Sequence, residues 1–254
     1  MSKIFDALLK AEEKLENGGR AVKFSSLGLF QNQKRPIKID FDLDPFMEEQ
    51  YQKLRRRLGA TPKQESVKVV MVAATTHGEG ATTTSAILAA TLARSGHSKI
   101  LLIDANLRTP ALDGVFNDDS QHTEGLSDVV VADVPVESVI YQTNFPNLFL
   151  LPVGKSHPSP SYLFDGDPIT KLLNDLRERF DFIIIDGAPL NGYSESFFLA
   201  SKVDGVILVV ESESTKKQVV KKIKKELDWG PVNLMGIVVN KKKNYIPKSL
   251  ERFL

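Results

Sequence analysis

Six short apolar runs, at residues 67–74, 99–103, 147–151, 182–185, 205–210 and 235–239, constrain this chain more than any other feature. Each is rich in Val, Ile or Leu and is bounded by polar or turn-forming residues. None shows the alternating polarity of a strand with one wet face. A run of that kind has to bury both faces, and an extended chain does so inside a parallel sheet. Helical stretches at 82–95, 168–180, 194–202 and 215–228 lie between many of the runs. Parallel neighbours need a crossover of about a dozen residues or more, which a helix supplies. The expectation is an α/β fold of three layers, a mostly parallel sheet with helices on both faces.

The first run leads into Thr75, Thr76, His77, Gly78, Glu79, Gly80, Ala81, Thr82, Thr83 and Thr84. An apolar strand, a glycine-rich turn and hydroxyls opening a helix form the layout of a Walker A loop. In such a loop, backbone N–H groups and the positive end of a helix meet phosphate. Gly78 and Gly80 suit the turn, and Thr82 is placed to bind Mg²⁺. The loop lysine should follow the last glycine, but Ala81 stands there. A dinucleotide-binding loop would want a third glycine near Thr83, and there is none.

Two later runs end in an acid. Residues 99–103 lead into Asp104, Ala105, Asn106, Leu107 and Arg108, and residues 182–185 into Asp186, Gly187, Ala188 and Pro189. Ligands of α/β sheets collect at the carboxyl ends of the strands. Two carboxylates beside a phosphate loop can hold Mg²⁺, directly or through water, and orient a nucleophile. A lone strand-end Asp more commonly caps its own turn; three segments in this order favour the site. The fold expectation narrows to a P-loop NTPase-like one.

With 254 residues, the chain has room for one large domain plus an extension. A net charge of +1 gives no reason to expect nucleic acid as a partner. There is no cysteine, hence no disulfide or thiolate metal site. His77, His97, His122 and His157 lack metal-ligand spacing. No apolar run approaches the roughly 18–20 residues of a membrane span, and charges interrupt the N-terminal apolar residues, unlike a secretory signal. A cytoplasmic protein is the default expectation. Residues 1–16 read as an amphipathic helix with Ile4, Phe5, Leu8, Leu9 and Leu15 on one face, for its own domain or for a partner. Residues 17–44 read as a linker, 45–246 as the main domain opening with a helix at 45–59, and 247–254 as a tail.

On these segments the chain resembles the bacterial tyrosine kinases of capsule and exopolysaccharide synthesis, among the deviant P-loop ATPases. The family pattern is a loop S-x-x-P-G-E-G-K-S/T, then D-x-D-x-R, then an apolar run ending D-x-x-P. Gly78, Glu79 and Gly80 match the first, Asp104 and Arg108 the second, Asp186 and Pro189 the third. Leu107 to Pro110, Gly125 to Asp128 and Leu151 to Gly154 also look like family segments. The resemblance implies ATP or ADP with Mg²⁺ held by Gly78, Glu79, Gly80, Ala81, Thr82, Thr83, Arg108 and Asn240. It implies Thr82, Asp104, Asn106 and Asp186 as metal ligands, with Asp104 and Asp186 catalytic if the site is active. It also implies a membrane chain-length-determinant protein as partner, a location at the inner face of the membrane, and self-assembly through an E-x-x-R-x-x-R segment.

Departures from the pattern are as specific as the matches. Ala81 replaces the loop lysine, His77 a proline, and Asn106 the second Asp of D-x-D. The assembly segment runs from Glu49 to Arg55 with Gln52 in place of an arginine, and a weaker homo-oligomer is expected. Tyr245 alone of the tyrosines lies in the last fifty residues, where the family carries an autophosphorylated cluster. Alanine supplies neither charge nor donor for a transferring phosphoryl group. The expectation is a degenerate, pseudokinase-like protein with weakened nucleotide binding, or alternatively an active kinase with Arg108 or Lys155 compensating. A partition-type ATPase ranks last, because its early signature lysine is missing at Thr76 and His77. Asn240 has two equal readings, hydrogen bonding to a base or forming a turn. Lys216, Lys217, Lys221, Lys222, Lys224 and Lys225 read as a solvated helix face; the sharper alternative adds Lys241, Lys242, Lys243, Lys248 and Arg252 to make a basic surface toward anionic lipid or an acidic partner loop.

Overall fold

The computed structural model describes residues 45–59, 67–94, 98–112, 124–155 and 160–242. The expected N-terminal helix, linker and C-terminal tail lie outside these residues. In chain order the elements are α1 (Pro45–Gly59), β1 (Val69–Ala74), α2 (Ala81–Ala93), β2 (Ile100–Ala105), α3 (Leu126–Ala132), a 3₁₀ turn (Val136–Ser138), β3 (Tyr141–Gln142), β4 (Leu148–Leu151), α4 (Pro160–Phe164), α5 (Asp167–Arg179), β5 (Phe182–Gly187), α6 (Ser194–Ala200), β6 (Gly205–Glu211), α7 (Lys217–Asp228) and β7 (Leu234–Asn240).

The strands form one seven-stranded sheet in the order β3-β4-β2-β5-β1-β6-β7. Among the described residues only the β3–β4 pair is antiparallel. The six apolar runs are the six parallel strands, and every residue of β1 and β2 is buried. From β1 the chain crosses to β2 on one side, whereas the β4–β5, β5–β6 and β6–β7 connections step the other way. Right-handed crossovers then put α2 on the face opposite α5, α6 and α7. The change of direction at β1 makes a crevice at the carboxyl ends of the strands around it.

Helix α2 is buried on almost every side: of its residues only Thr82 and Thr83 are left out of the buried set. An all-round apolar helix has to be central, and α2 packs on β1, β2 and β5 with α1 laid over it. Tyr51 and Leu58 of α1 are buried in that core, with Met47 and Leu54 against it, while Phe46, Glu49 and Lys53 face solvent. Asp204, in the turn before β6, ties the opposite end of the sheet. Its carboxylate accepts the N–H groups of Lys68 and Val69, each at 2.8 Å, and takes Arg177 in a two-pronged pair at 2.7 and 2.6 Å.

The structure differs from the sequence expectation in two ways. β2 and β5 continue past their apolar runs, through Asp104 and Asp186. The ladder supplies backbone partners there (Asp104 pairs with Asp186 in register), so a polar side chain does not end the strand. Short α3, α4, the 3₁₀ turn and β3 were not foreseen. Each is too short to show a period, and β3 is held by pairing with Leu150 and Phe149 of β4.

Candidate functional site

The phosphate loop rises from the buried end of β1 and turns into α2 through two left-handed glycines, Gly78 at φ 84° and Gly80 at φ 95°. Gly80 caps α2, and its carbonyl accepts the Thr84 N–H at 3.0 Å and the Thr84 hydroxyl at 2.8 Å. A Cβ at Gly80 would stand 2.2 Å from Asn240 Nδ2, so both the backbone angle and the close approach require glycine. Over the loop opens a pocket of about 420 Å³. Gly78, Gly80, Ala81, Thr82, Thr83 and Asn106 line it, with Thr109, Gly187 and Pro189.

Glu79 turns away from that pocket. It is 3% exposed, and its carboxylate accepts Thr75 N at 2.7 Å, Thr76 N at 3.1 Å and the hydroxyls of Thr75, Thr76 and Thr215. Burial opposes its ionisation, but the hydrogen bonds from Thr215, Thr75 and the two backbone amides outweigh it. The carboxyl is held below its ordinary value. Thr215 in turn accepts the Glu211 N–H, so Glu79 stitches the loop to the end of β6.

Asp104 and Asp186 lie side by side on β2 and β5, with Asp186 also level with Val72 of β1. Both are buried. Asp104 accepts the N–H groups of Asn106 at 3.0 Å and Leu112 at 3.3 Å, which shapes the β2 loop. Asn106 Oδ1 accepts from Thr109 N at 3.2 Å. Asp186 Oδ1 accepts the Ser85 hydroxyl at 3.1 Å, whereas the buried Asp186 Oδ2 has no hydrogen-bond partner among the described residues. Burial drives its pKa up to about 7, with the hydroxyls of Thr82 and Ser85 offsetting part of the rise. An orphaned carboxylate oxygen beside a phosphate loop is an acceptor waiting for a cation or a donor.

The other candidates make contacts of their own. Arg108 pairs through Nε with buried Glu195 and stacks 4.9 Å from the Tyr193 ring centre. It is not among the residues lining the pocket. Tyr193 also hydrogen-bonds His77 Nε2 at 2.8 Å, which joins the loop to the segment before α6. Lys155 is engaged by Asp128 and Glu124, both at 3.4 Å. Asn240 Nδ2 donates to Glu79 O at 2.9 Å. Sequence reasoning missed Ser85, Thr215, Tyr193 and Glu195, and read Lys241 only as part of a basic surface. Ser85 had a signal, since it follows Ala81 by one helical turn and shares its face; the others lie on separate elements with no local pattern.

Residues 67–229 match the AAA domain family. The chain is 31% identical to the tyrosine-protein kinase CpsD of Streptococcus agalactiae over 194 residues, 76% of this chain and 83% of that one. It is 31% identical to the tyrosine-protein kinase YwqD of Bacillus subtilis strain 168 over 195 residues, 77% of this chain and 81% of the relative. The crystal structure of the chimerical protein CapA2B2 superposes with a TM-score of 0.73 at 27% identity, covering 93% of this chain and 99% of that one. The chain belongs to the AAA-domain family and, within it, to the bacterial tyrosine kinases of capsule and exopolysaccharide synthesis.

Proposed function

We propose that this protein is a degenerate member of that kinase family, a nucleotide-responsive partner of a membrane chain-length regulator rather than an efficient phosphoryl-transfer enzyme. One observation carries the reading. Ala81 occupies the pocket wall where the family's lysine belongs, while the rest of the cradle is intact. A Mg²⁺-nucleotide fits the residues present: the glycine cradle, the Thr82 hydroxyl, Asn106 and the unpartnered oxygen of Asp186. Gly78, Gly80, Thr82 and Thr83 would hold the phosphates; Asp186, Asp104, Asn106 and Thr82 would surround the metal, mostly through water. Bound Mg²⁺ would neutralise phosphate charge. Ala81 adds neither charge nor donor beside it. Binding is therefore retained in weakened form and transfer is lost.

The α1 contacts bear on self-assembly. Glu49, Gln52 and Arg55 lie on α1, where Glu49 pairs with Lys53 at 2.8 Å and Arg55 donates to Gln52 at 3.3 Å. These contacts within one helix compete with pairing between copies, which suits a weak homo-oligomer. No described helix is long and apolar enough to cross a membrane, so a position at the inner face would be peripheral. Titration calorimetry with MgADP and MgATP, with a phosphotyrosine assay on the same samples, tests the reading. Binding without phosphotyrosine supports it; phosphotyrosine formation that vanishes in Asp186→Ala establishes the active-kinase alternative. Light scattering showing a ring insensitive to salt would overturn the weak-oligomer reading.

A further inference from the structure

We infer that Lys241, at the end of β7, is a positioning residue that clamps the phosphate loop from outside together with Asn240, in a loop that has no lysine of its own. The inference rests on the nucleotide-binding reading above and names the residues that keep that site competent.

Two successive loop carbonyls receive donors from two successive residues of β7 and its exit. Gly78 O accepts Lys241 Nζ at 2.7 Å, and Glu79 O accepts Asn240 Nδ2 at 2.9 Å. A phosphate cradle aims its N–H groups inward, so braced carbonyls lie on its outer wall. Bracing them fixes the peptide planes and hence the direction of the inward donors. A cation on a peptide carbonyl also polarises the N–H of the same peptide, which strengthens that donor.

The local backbone is built for this contact. Lys241 sits at φ 53°, in the left-handed region that a lysine seldom occupies, at the residue where the chain leaves β7. Glu211, level with Asn240 on the neighbouring strand, takes a second Nζ contact at 3.1 Å. Gly80 leaves the space that admits the Asn240 amide, as its missing Cβ would stand 2.2 Å from Nδ2. Asn240 thus works on the loop backbone, a third outcome beside the base-binding and turn-forming readings. The loop's own carboxylate, Glu79, is taken up by the hydroxyls of Thr75, Thr76 and Thr215, so it does not draw Lys241 away from the Gly78 carbonyl.

The test uses the full chain with Lys241→Met, Lys241→Arg, Ala81→Lys and the double variant Ala81→Lys/Lys241→Met. Hydrogen exchange of amides 76–83 is read without nucleotide, and MgADP affinity by calorimetry. Lys241→Met is expected to speed loop exchange roughly tenfold and weaken MgADP roughly tenfold. Lys241→Arg retains most of both. In the Ala81→Lys background the Lys241→Met loss shrinks to about twofold or less, because the loop then carries its own lysine. Unchanged loop exchange in Lys241→Met, or equal affinity losses in both backgrounds, would overturn the clamp. If the unaltered protein binds no MgADP, the nucleotide reading falls, and the clamp is decided by the exchange data alone.

Discussion

Asp186→Asn should stabilise the nucleotide-free protein, and by an amount that grows with pH. Asp186 is 0% exposed, and one of its carboxylate oxygens has no hydrogen-bond partner among the described residues. Burial raises its pKa from 3.8 to about 7. A carboxyl with a raised native pKa binds a proton in the folded state between those two values, where the unfolded chain has released it. Stability therefore falls as pH rises from the unfolded value through the folded one, and the loss is complete above about pH 8. At about 1.4 kcal/mol for each tenfold change in proton affinity, the full cost is about 4 kcal/mol, an upper limit because a charged carboxylate draws in water. Asparagine keeps the shape and the Ser85 contact without titrating. Between about pH 5 and pH 8 the advantage of the variant over the unaltered protein should grow by about 2–3 kcal/mol. Urea unfolding of both proteins, without Mg²⁺ or nucleotide, measures it. Carboxylates remote from Asp186 are common to both proteins and cancel in the difference. A difference that stays constant across this range would refute the argument that Asp186 is held in a dry, unpaired setting.

Gly80→Ala should lose MgADP binding and cost about 1–3 kcal/mol in urea unfolding. Gly78→Ala should cost less: φ is 84° there too, but its Cβ would meet nothing within 4 Å. Arg177→Met removes both guanidinium contacts from a three-quarters buried Asp204 and should destabilise by about 1–3 kcal/mol. It should also flatten the acid limb of the stability profile. Burial raises the Asp204 pKa, but Arg177 and the Val69 and Lys68 amides outweigh it and hold it below its ordinary value. Its stabilisation is present above the unfolded value and lost as pH falls through the folded one. Leu227→Ala on α7, where Leu227 is fully buried, should cost about 2–5 kcal/mol by the same assay.

Much of the architecture was legible because parallel strands leave a local signature. Runs such as Leu101, Leu102 and Ile103 have no polar alternation, since both faces are covered, and the intervening helices follow from the crossover length. The loop was legible for a related reason: phosphate binding by backbone needs glycines at fixed places, so Gly78 and Gly80 announce it. Asp104 and Asp186 were visible as acids closing apolar runs. Their adjacency, in register across β2 and β5, was not, because register is a property of pairing between strands 82 residues apart. The absence of a lysine at Ala81 is likewise a fact of sequence alone.

What tertiary structure decided is which partner each polar group finds. Arg108 and Lys155 had equal claim to the phosphates on charge, and the fold gives them to Glu195 and Asp128. Glu79 stands in the middle of the loop, yet it points back to Thr75 and Thr215. Asn240 and Lys241 reach Glu79 and Gly78 from more than 160 positions away. Periodicity and turn chemistry are local, acting over a few residues, so a sequence displays them. A hydrogen bond or ion pair needs only that two groups meet in space, and in an α/β sheet that is settled by strand order, register and the direction of each crossover.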